Sequence, residues 1–538
     1  MFLLFAALTV PCPSTPQLRG VSTQDLIADP EVVVAVASVE KLFRSHAASL
    51  PTGMVATIVF DQTIVATLGF GRRGGANGTV TSPPRPTDLV RIASITKVFT
   101  DVLAYKLRDA GVVNLDDPIE SFMPGFALGG RSGKTRGRIT LRNLASHLSG
   151  LPREAPWPCS LDEEQCTEDD VLRLLHAALP VLPPYRRFHY SNLGIALLGR
   201  ALAHAATVSN KPAWPLHSPS PSDAHQPHLT TFEALLEREV LAPLQMANAT
   251  FDTAVALAHD RVAIGSTVDG RTLNLTATCT PASAAPGSWL APCGCLWASA
   301  TDLARLLQLF FRDGVAAGAT PSQVLDGDTL HELLSPQVLL RDGYEAVGSP
   351  WEMDYASGVW VKSKQGELPG YRSSVSLVEP LKLGIFASAL VSDVPSPTVW
   401  TLDALNILVP SVISALRRLQ PTPALPRDAS LLVGRYCGGR MAVAIEGGTA
   451  LVLRIGASGK PLELSDGVEG IVATDATNDG KRTTSIRALR AHPVRVTEDC
   501  RHLDDGSDLE IAYFTQAAPD ANATSVRFMD SLCERALM

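Results

Sequence analysis

Residues 91–100 read RIASITKVFT, which sets a serine, Ser94, and a lysine, Lys97, three positions apart in an otherwise apolar run. On a helix, positions i and i+3 share a face, so the Lys97 amine stands one turn from the Ser94 hydroxyl. A serine hydroxyl becomes a nucleophile only where a neighbour accepts its proton. A lysine that is desolvated among other cations can be that neighbour. At a helix N-terminus the serine's own backbone N–H also helps to hold an oxyanion. Serine-x-x-lysine nevertheless arises by chance a few times in a chain of 538 residues, as an ordinary amphipathic turn. Its meaning depends on what stands elsewhere.

Two other stretches supply groups that such a pair needs. In FHYSNLGIALLGRALA (188–203), Tyr190-Ser191-Asn192 precedes a strongly apolar, helix-like run. A tyrosine phenolate next to lysines can act as a general base. The Asn192 amide can donate to a substrate carbonyl and accept from a lysine. In KQGELPGYRSSVSL (364–377), Lys364 and Gly366 open a β-like run. The lysine supplies positive charge, the glycine lets substrate approach the strand, and the N–H of Glu367 can serve as an oxyanion donor beside that of Ser94.

Serine-lysine, tyrosine-x-asparagine and lysine-x-glycine, in that order, resemble the three motifs of the serine β-lactamases and penicillin-binding proteins. Tyrosine in the second motif is similar to the class C branch, which includes DD-peptidases, esterases and fungal transesterases. LASHLSGLP (144–152) resembles the branch's H-x-S-G-L-P segment, and CGCLWASATDLARLLQLF (293–310) its G-G-L-x-S segment. The short linker and β-rich tail also resemble secreted fungal β-lactamase-like proteins. The resemblance covers about residues 35–418. It implies an α+β fold: an antiparallel sheet flanked by helices, an all-helical subdomain, and a small C-terminal β-rich domain. It implies Ser94 as nucleophile, Lys97 as its base partner and Tyr190 as proton shuttle. Asn192 would hold the substrate amide or carbonyl, and Lys364 would lower the tyrosine pKa or bind a carboxylate. The N–H groups of Ser94 and Glu367 would form the oxyanion hole. Class C members carry Thr or Ser where Gln365 stands here, and relatives that hydrolyse esters depart at the same place.

The remaining chain is read from its patterns. Residues 31–48 are helical by apolar spacing, and 53–71 form a hairpin about Asp61-Gln62. A helix runs from near Ser94 to about Asp109, another over 139–152, a third over 296–318 with Ser299 or Thr301 as cap, and a last one over 398–418. Residues 357–391 read as consecutive antiparallel strands. Residues 209–229, rich in Ser, Pro and His, read as a surface insertion, and their histidines lack the spacing of a ligand set. The domains expected are a signal-like segment with an N-terminal extension (1–30), a catalytic domain (31–420), and a β-rich domain (429–538) after the linker PTPALPRD (421–428). His147 reads as a packing or capping residue, and Trp351 and Tyr371 as packing residues or pocket walls.

A net charge of −8 argues against nucleic acid as the main partner. The apolar start MFLLFAALTV is half the length of a membrane span and resembles a secretory signal, and with no rival run elsewhere no membrane span is expected. Sequons at Asn77, Asn248, Asn274 and Asn522 fit export and glycosylation. So do nine cysteines, read as disulfides because none has C-x₂-C spacing. Their odd number leaves one unpaired or puts Cys12 in a removed segment. The expectation is a secreted enzyme that needs no cofactor or metal and acts on a small-molecule acyl substrate. Hydrolase, acyltransferase and non-catalytic binding protein are the three readings, and intact motifs favour the first two.

Overall fold

The computed structural model describes residues 21–534 except 75–81, 130–137, 160–165, 209–229, 259–260, 272–287, 313–322, 341–342, 357–358, 393, 395–396, 420–428, 438–439, 447–449, 456–461, 466–484, 494–510, 517–521 and 529–530. The signal-like start, the Ser/Pro/His-rich insertion and the linker therefore lie outside the described residues, as do Asn77, Asn274, Cys12 and Cys500. The chain divides into two compact units, one spanning Thr15–Leu419 and the other carrying Gln420–Met538.

The larger unit opens with α1 (Thr23–Ala28) and α2 (Pro30–Ala48), a hairpin of β1 (Met54–Phe60) and β2 (Thr63–Phe70), and the two-residue β3 (Val90–Arg91). Helices α3 (Thr96–Asp109), α4 (Leu141–Ala145), α5 (Glu168–Leu175), α6 (Asn192–Val208), α7 (Phe232–Leu236), α8 (Thr253–Leu257) and α9 (Ala291–Gly294) follow. Then come β4 (Trp297–Ala298), α10 (Ala300–Phe310) and α11 (Gly327–Leu333). Six strands are next: β5 (Val338–Leu339), β6 (Glu345–Val347), β7 (Glu352–Ala356), β8 (Val359–Leu368), β9 (Tyr371–Val378) and β10 (Leu383–Ala389). The unit ends on α12 (Pro397–Leu419). The sheet order is β2-β1-β10-β9-β8-β7-β6-β5, antiparallel throughout.

Strand β1 is buried along its whole length because both sheet faces are covered. Successive side chains point to opposite faces. Val55 and Val59 thus enter a core shared with α3, α6 and α10. Met54, Ala56, Ile58 and Phe60 enter a second core, shared with α2 and α12. Leu26 of α1 belongs to that second core, so part of the N-terminal extension folds into this unit. Asp29 starts α2 by accepting the Glu31 N–H, with Pro30 at the first helical position, where its missing donor costs nothing. Helix α12 is long and apolar enough to cross a membrane by length and composition, where the sequence reading found no run of that kind. Its apolar face, with Trp400, Leu405, Leu408 and Val412, is buried in the second core.

Two helix boundaries differ from those the patterns predict. The segment 139–152 holds only α4, five residues long, started by a Thr140–Asn143 capping box. It ends in a turn with positive φ at His147 (57°) and Gly150 (69°). A Cβ on Gly150 would lie 2.0 Å from the Leu182 carbonyl oxygen, so no larger residue fits there. The segment 296–318 begins as a strand: Trp297 and Ala298 pair with Arg91 and Val90. The helix α10 starts only after Ser299, whose hydroxyl accepts the Asp302 N–H while the Asp302 carboxylate accepts the Ser299 N–H.

The smaller unit has a short helix α13 (Ala429–Leu432) and an eight-stranded antiparallel sheet. Its strands, β11 (Gly434–Tyr436), β12 (Met441–Glu446), β13 (Ala450–Ile455), β14 (Leu462–Ser465), β15 (Ser485–Pro493), β16 (Ile511–Gln516), β17 (Ala523–Phe528) and β18 (Ser531–Glu534), pair in chain order. A small core of its own includes Leu432, Tyr436, Leu453 and Val526.

Candidate active site

Strand β3 runs into a 3-10 turn, Ala93–Ile95, that leads directly into α3. Ala93 has φ of 49°, a left-handed conformation that costs a non-glycine residue about 1 kcal/mol. Ser94 follows it, with its N–H near the positive end of α3. One turn on, Lys97 is fully buried, and its Nζ donates to Ser94 Oγ at 2.9 Å and to the Cys293 carbonyl oxygen at 2.6 Å. The lysine's second partner is thus a backbone carbonyl of α9, where the sequence suggested the Asn192 side chain.

The second group stands at the start of α6. Ser191 caps the helix, its Oγ accepting the Gly194 N–H at 2.9 Å and donating to the Pro152 carbonyl at 2.6 Å. That cap places Tyr190 just outside the helix, with its hydroxyl 2.9 Å from Ser94 Oγ. Asn192, the first helical residue, is nearly buried, and its Nδ2 donates to Glu154 Oε1 at 2.7 Å. Three cations surround the Tyr190 ring: Lys364 at 4.8 Å, Arg153 at 4.8 Å and Lys97 at 5.1 Å from its centroid. Burial pushes the phenol up, but the charges of Lys364 and Lys97 and the bond to Ser94 outweigh it and hold the phenol below its ordinary value.

The third group comes from β8. Lys364 is sealed from solvent, with 1% of its side chain exposed, and its Nζ donates to Glu352 Oε1 at 2.6 Å. Burial depresses its ammonium, yet the Tyr190 phenolate and the Glu352 carboxylate more than reverse this, so it stays charged. Two residues on, a Cβ at Gly366 would lie 2.2 Å from the Ile92 carbonyl oxygen and 3.0 Å from the Ser94 nitrogen. Glycine alone lets β8 lie this close to the Ser94 turn. Glu367 turns its side chain to the rim, 3.2 Å from Arg372. Lys362, the other lysine of the strand, pairs with Glu379 at 2.7 Å.

Ser94, Tyr190, Asn192, Lys364 and Glu367 line one cavity of about 360 Å³, with Phe188, Leu290, Leu368 and Glu352 also in its wall. Lys97 stands behind Ser94, bonded to it, and Gly366 lies against the Ser94 turn, so both support the pocket without lining it. His147, read from the sequence as a packing or capping residue, packs here, and three further neighbours went unread. His147 stacks on Tyr190 with centroids 4.4 Å apart and accepts the Ser191 N–H on Nδ1 at 3.1 Å. Burial, aided by the nearby cations, pushes its imidazole far down, so it stays neutral and positions the tyrosine. Its place in LASHLSGLP was the available signal. Glu154 orients Asn192, the Cys293 carbonyl anchors Lys97, and Glu352 meets Lys364 across strands. None of these three has a local pattern that marks it.

Other candidates fall outside the pocket. Tyr371 is a core residue that donates to Ala263 and accepts from Gly265, and Trp351 is fully buried against Phe310. Cys159 and Cys166 form a disulfide with each other, and Cys295 and Cys437 each take part in a disulfide as well. Cys293 is a buried free thiol in the pocket wall, an unpaired cysteine of the kind the odd number allowed. Asn522 is exposed, and Asn248 is half-buried with its Oδ1 accepting from Arg261 at 2.7 Å. Among the described residues no cluster of His, Cys, Asp or Glu could hold a metal ion.

A pocket in which a lysine and a tyrosine converge on one serine at a helix start defines a class of serine enzyme, and comparison with known proteins agrees. The β-lactamase family model matches residues 39–408. A beta-lactamase-like protein 2 from Dictyostelium discoideum is 30% identical over 542 residues, covering 94% of this chain and 87% of that protein. The D-alanyl-D-alanine carboxypeptidase/endopeptidase AmpH of Escherichia coli K12 is 30% identical over 46% of this chain and 57% of its own length. The solved structure of a penicillin-binding protein homologue from Pyrococcus abyssi superposes with a TM-score of 0.54 at 19% identity, covering 93% of this chain and all of that one. The chain belongs to the β-lactamase family, serine hydrolases of the α+β fold shared with penicillin-binding proteins.

Proposed function

We propose that this protein cleaves an ester, amide or lactone through an acyl-enzyme on Ser94. The observation that carries the reading is the position of Ser94 Oγ, 2.9 Å from both Lys97 Nζ and the Tyr190 hydroxyl, at the wall of the cavity. With its phenol held below the ordinary value, Tyr190 is available as phenolate to take the Ser94 proton. The Ser94 oxygen attacks the carbonyl carbon, and the N–H groups of Ser94 and Glu367 hold the oxyanion that forms. As that intermediate collapses, the proton on Tyr190 passes to the departing alkoxide or amine and the acyl group stays on Ser94. Water, activated by the same pair, then releases the acid and restores the serine. Lys97, fixed by the Cys293 carbonyl, keeps the serine oxygen aligned, and Asn192, fixed by Glu154, offers its carbonyl oxygen to a substrate N–H.

Export belongs to the same proposal, supported by the Cys159–Cys166 disulfide and the exposed sequon at Asn522. The test of the chemistry is labelling with a fluorophosphonate and mapping of the adduct by mass spectrometry. The adduct is expected on Ser94 alone, and Ser94→Ala is expected to lose both label and ester turnover. A label on another serine, or undiminished turnover by Ser94→Ala, sinks the reading.

A further inference from the structure

The cations of the pocket are matched by carboxylates of the chain itself. Lys364 has 1% of its side chain exposed and is bonded to Glu352, which keeps 32% of its own side chain exposed. Arg372 faces Glu367 at 3.2 Å and also donates to the Val394 carbonyl. Arg153 faces Glu154 at 3.3 Å. Lys97 is fully buried behind Ser94. A substrate entering the cavity therefore meets the carboxylates of Glu352 and Glu367 as readily as any cation, and reaches Lys364 only by displacing Glu352.

We propose that Glu352 is a specificity-determining residue: it fills, from within the chain, the position at Lys364 that a substrate carboxylate would take, and so restricts the site to acyl groups without one. The inference rests on the Ser94 acyl-enzyme reading and names its substrate class, neutral esters and amides. Two arguments carry it. The first is access. Glu352 is the first residue of β7, the strand paired with β8, and from that end of the strand its carboxylate accepts from the Lys364 ammonium at 2.6 Å. A tethered carboxylate meets its partner without the entropy loss of a free one, and a free anion competes poorly with it. The second is charge. An anion held near the Glu352 carboxylate is repelled, and like charges across a small pocket act as a device against the wrong ligand. Lys364 is left with one task, which is to favour the Tyr190 phenolate.

A matched pair of substrates tests this: the p-nitrophenyl monoester of glutaric acid, which carries a free carboxylate, and its methyl ester, which does not. The wild-type protein is expected to favour the methyl ester in kcat/KM by at least about tenfold at pH 7 and low salt. In Glu352→Gln, which keeps an oxygen for Lys364 but removes the negative charge, that ratio is expected to fall by about tenfold. Inhibition of the wild-type protein provides a second measurement that needs no folded variant. Phenylboronic acid is expected to bind more tightly than 4-carboxyphenylboronic acid. A wild-type preference for the anionic member of either pair overturns the proposal. So does a folded Glu352→Gln with an unchanged ester ratio. If the anion is preferred and Arg153→Gln abolishes that preference, Arg153 is the carboxylate acceptor in place of the role argued here. Failure of the underlying reading looks different: neither ester is turned over and Ser94 takes no label, and both proposals then fall together.

Discussion

Tyr190 carries two opposed demands, and its surroundings answer both. To act as a base it must be ionised, yet it lies in a pocket that penalises charge. Lys364 and Lys97, both close to the ring, resolve the conflict in favour of the phenolate. His147 packs flat against the same ring and remains neutral, so it fixes the phenol without adding charge. The sign of the pH dependence follows. The phenolate is the active form, so kcat/KM rises with pH through the Tyr190 pKa, which lies below the ordinary phenol value of 10.0. Removing the Lys364 charge withdraws the cation that favours the phenolate. In Lys364→Met the inflection is expected to move to higher pH, with a loss of roughly 10²-fold at pH 7. A pH–rate profile of each protein measures this directly. An inflection that stays in place would show that the lysine acts by some route other than the tyrosine's ionisation.

At the level of elements, the site depends on how closely β8 lies to the turn that carries Ser94. A Cβ at Gly366 would sit within 2.2 Å of the Ile92 carbonyl, a backbone atom that cannot swing aside. Gly366→Ala is therefore expected to separate strand and turn and to lower kcat by at least about 10²-fold, since small misplacements of reacting groups are costly. Single-turnover acylation would register the loss, while circular dichroism shows the sheet retained. A variant with wild-type acylation would mean the turn tolerates the shift. The same scale explains what the sequence disclosed of the elements. The hairpin of β1 and β2, the strands β8 to β10 and the long helices α2, α3 and α12 have strong local periodicity, and they were legible. The excess lengths read for 139–152 and 296–318 came from apolar residues that serve other purposes. Leu148 and Leu151 are buried in a turn shaped by His147 and Gly150, and Trp297 and Ala298 are held by a strand two hundred residues away. Local patterns register apolar spacing; they do not register a partner strand.

On the scale of the whole molecule, the three motifs name the pocket because they bring their own residues to it, whereas the supporting residues depend on strand order and register. Nothing local to WEMDY marks Glu352 as the partner of Lys364; the β7–β8 ladder makes it so. The interior place of β1, between the edge strand β2 and β10, likewise comes from the two buried faces that only the assembled sheet reveals. The cores are also confined to their units. Both cores around the large sheet draw on residues between Leu26 and Leu416, and the core of the smaller unit draws on residues between Ala429 and Val526. Every group assigned to the pocket lies in the first set. Among the described residues, a chain comprising residues 15–419 therefore retains the apolar interior that supports Ser94. It is expected to unfold in one cooperative thermal transition and to take the fluorophosphonate label on Ser94 at a rate within about threefold of the full chain, a margin below 1 kcal/mol. Differential scanning calorimetry and labelling kinetics on the two proteins make the comparison. A shortened chain that melts without cooperativity, or that no longer labels, would show that residues beyond 419 contribute to the stability of the catalytic unit itself.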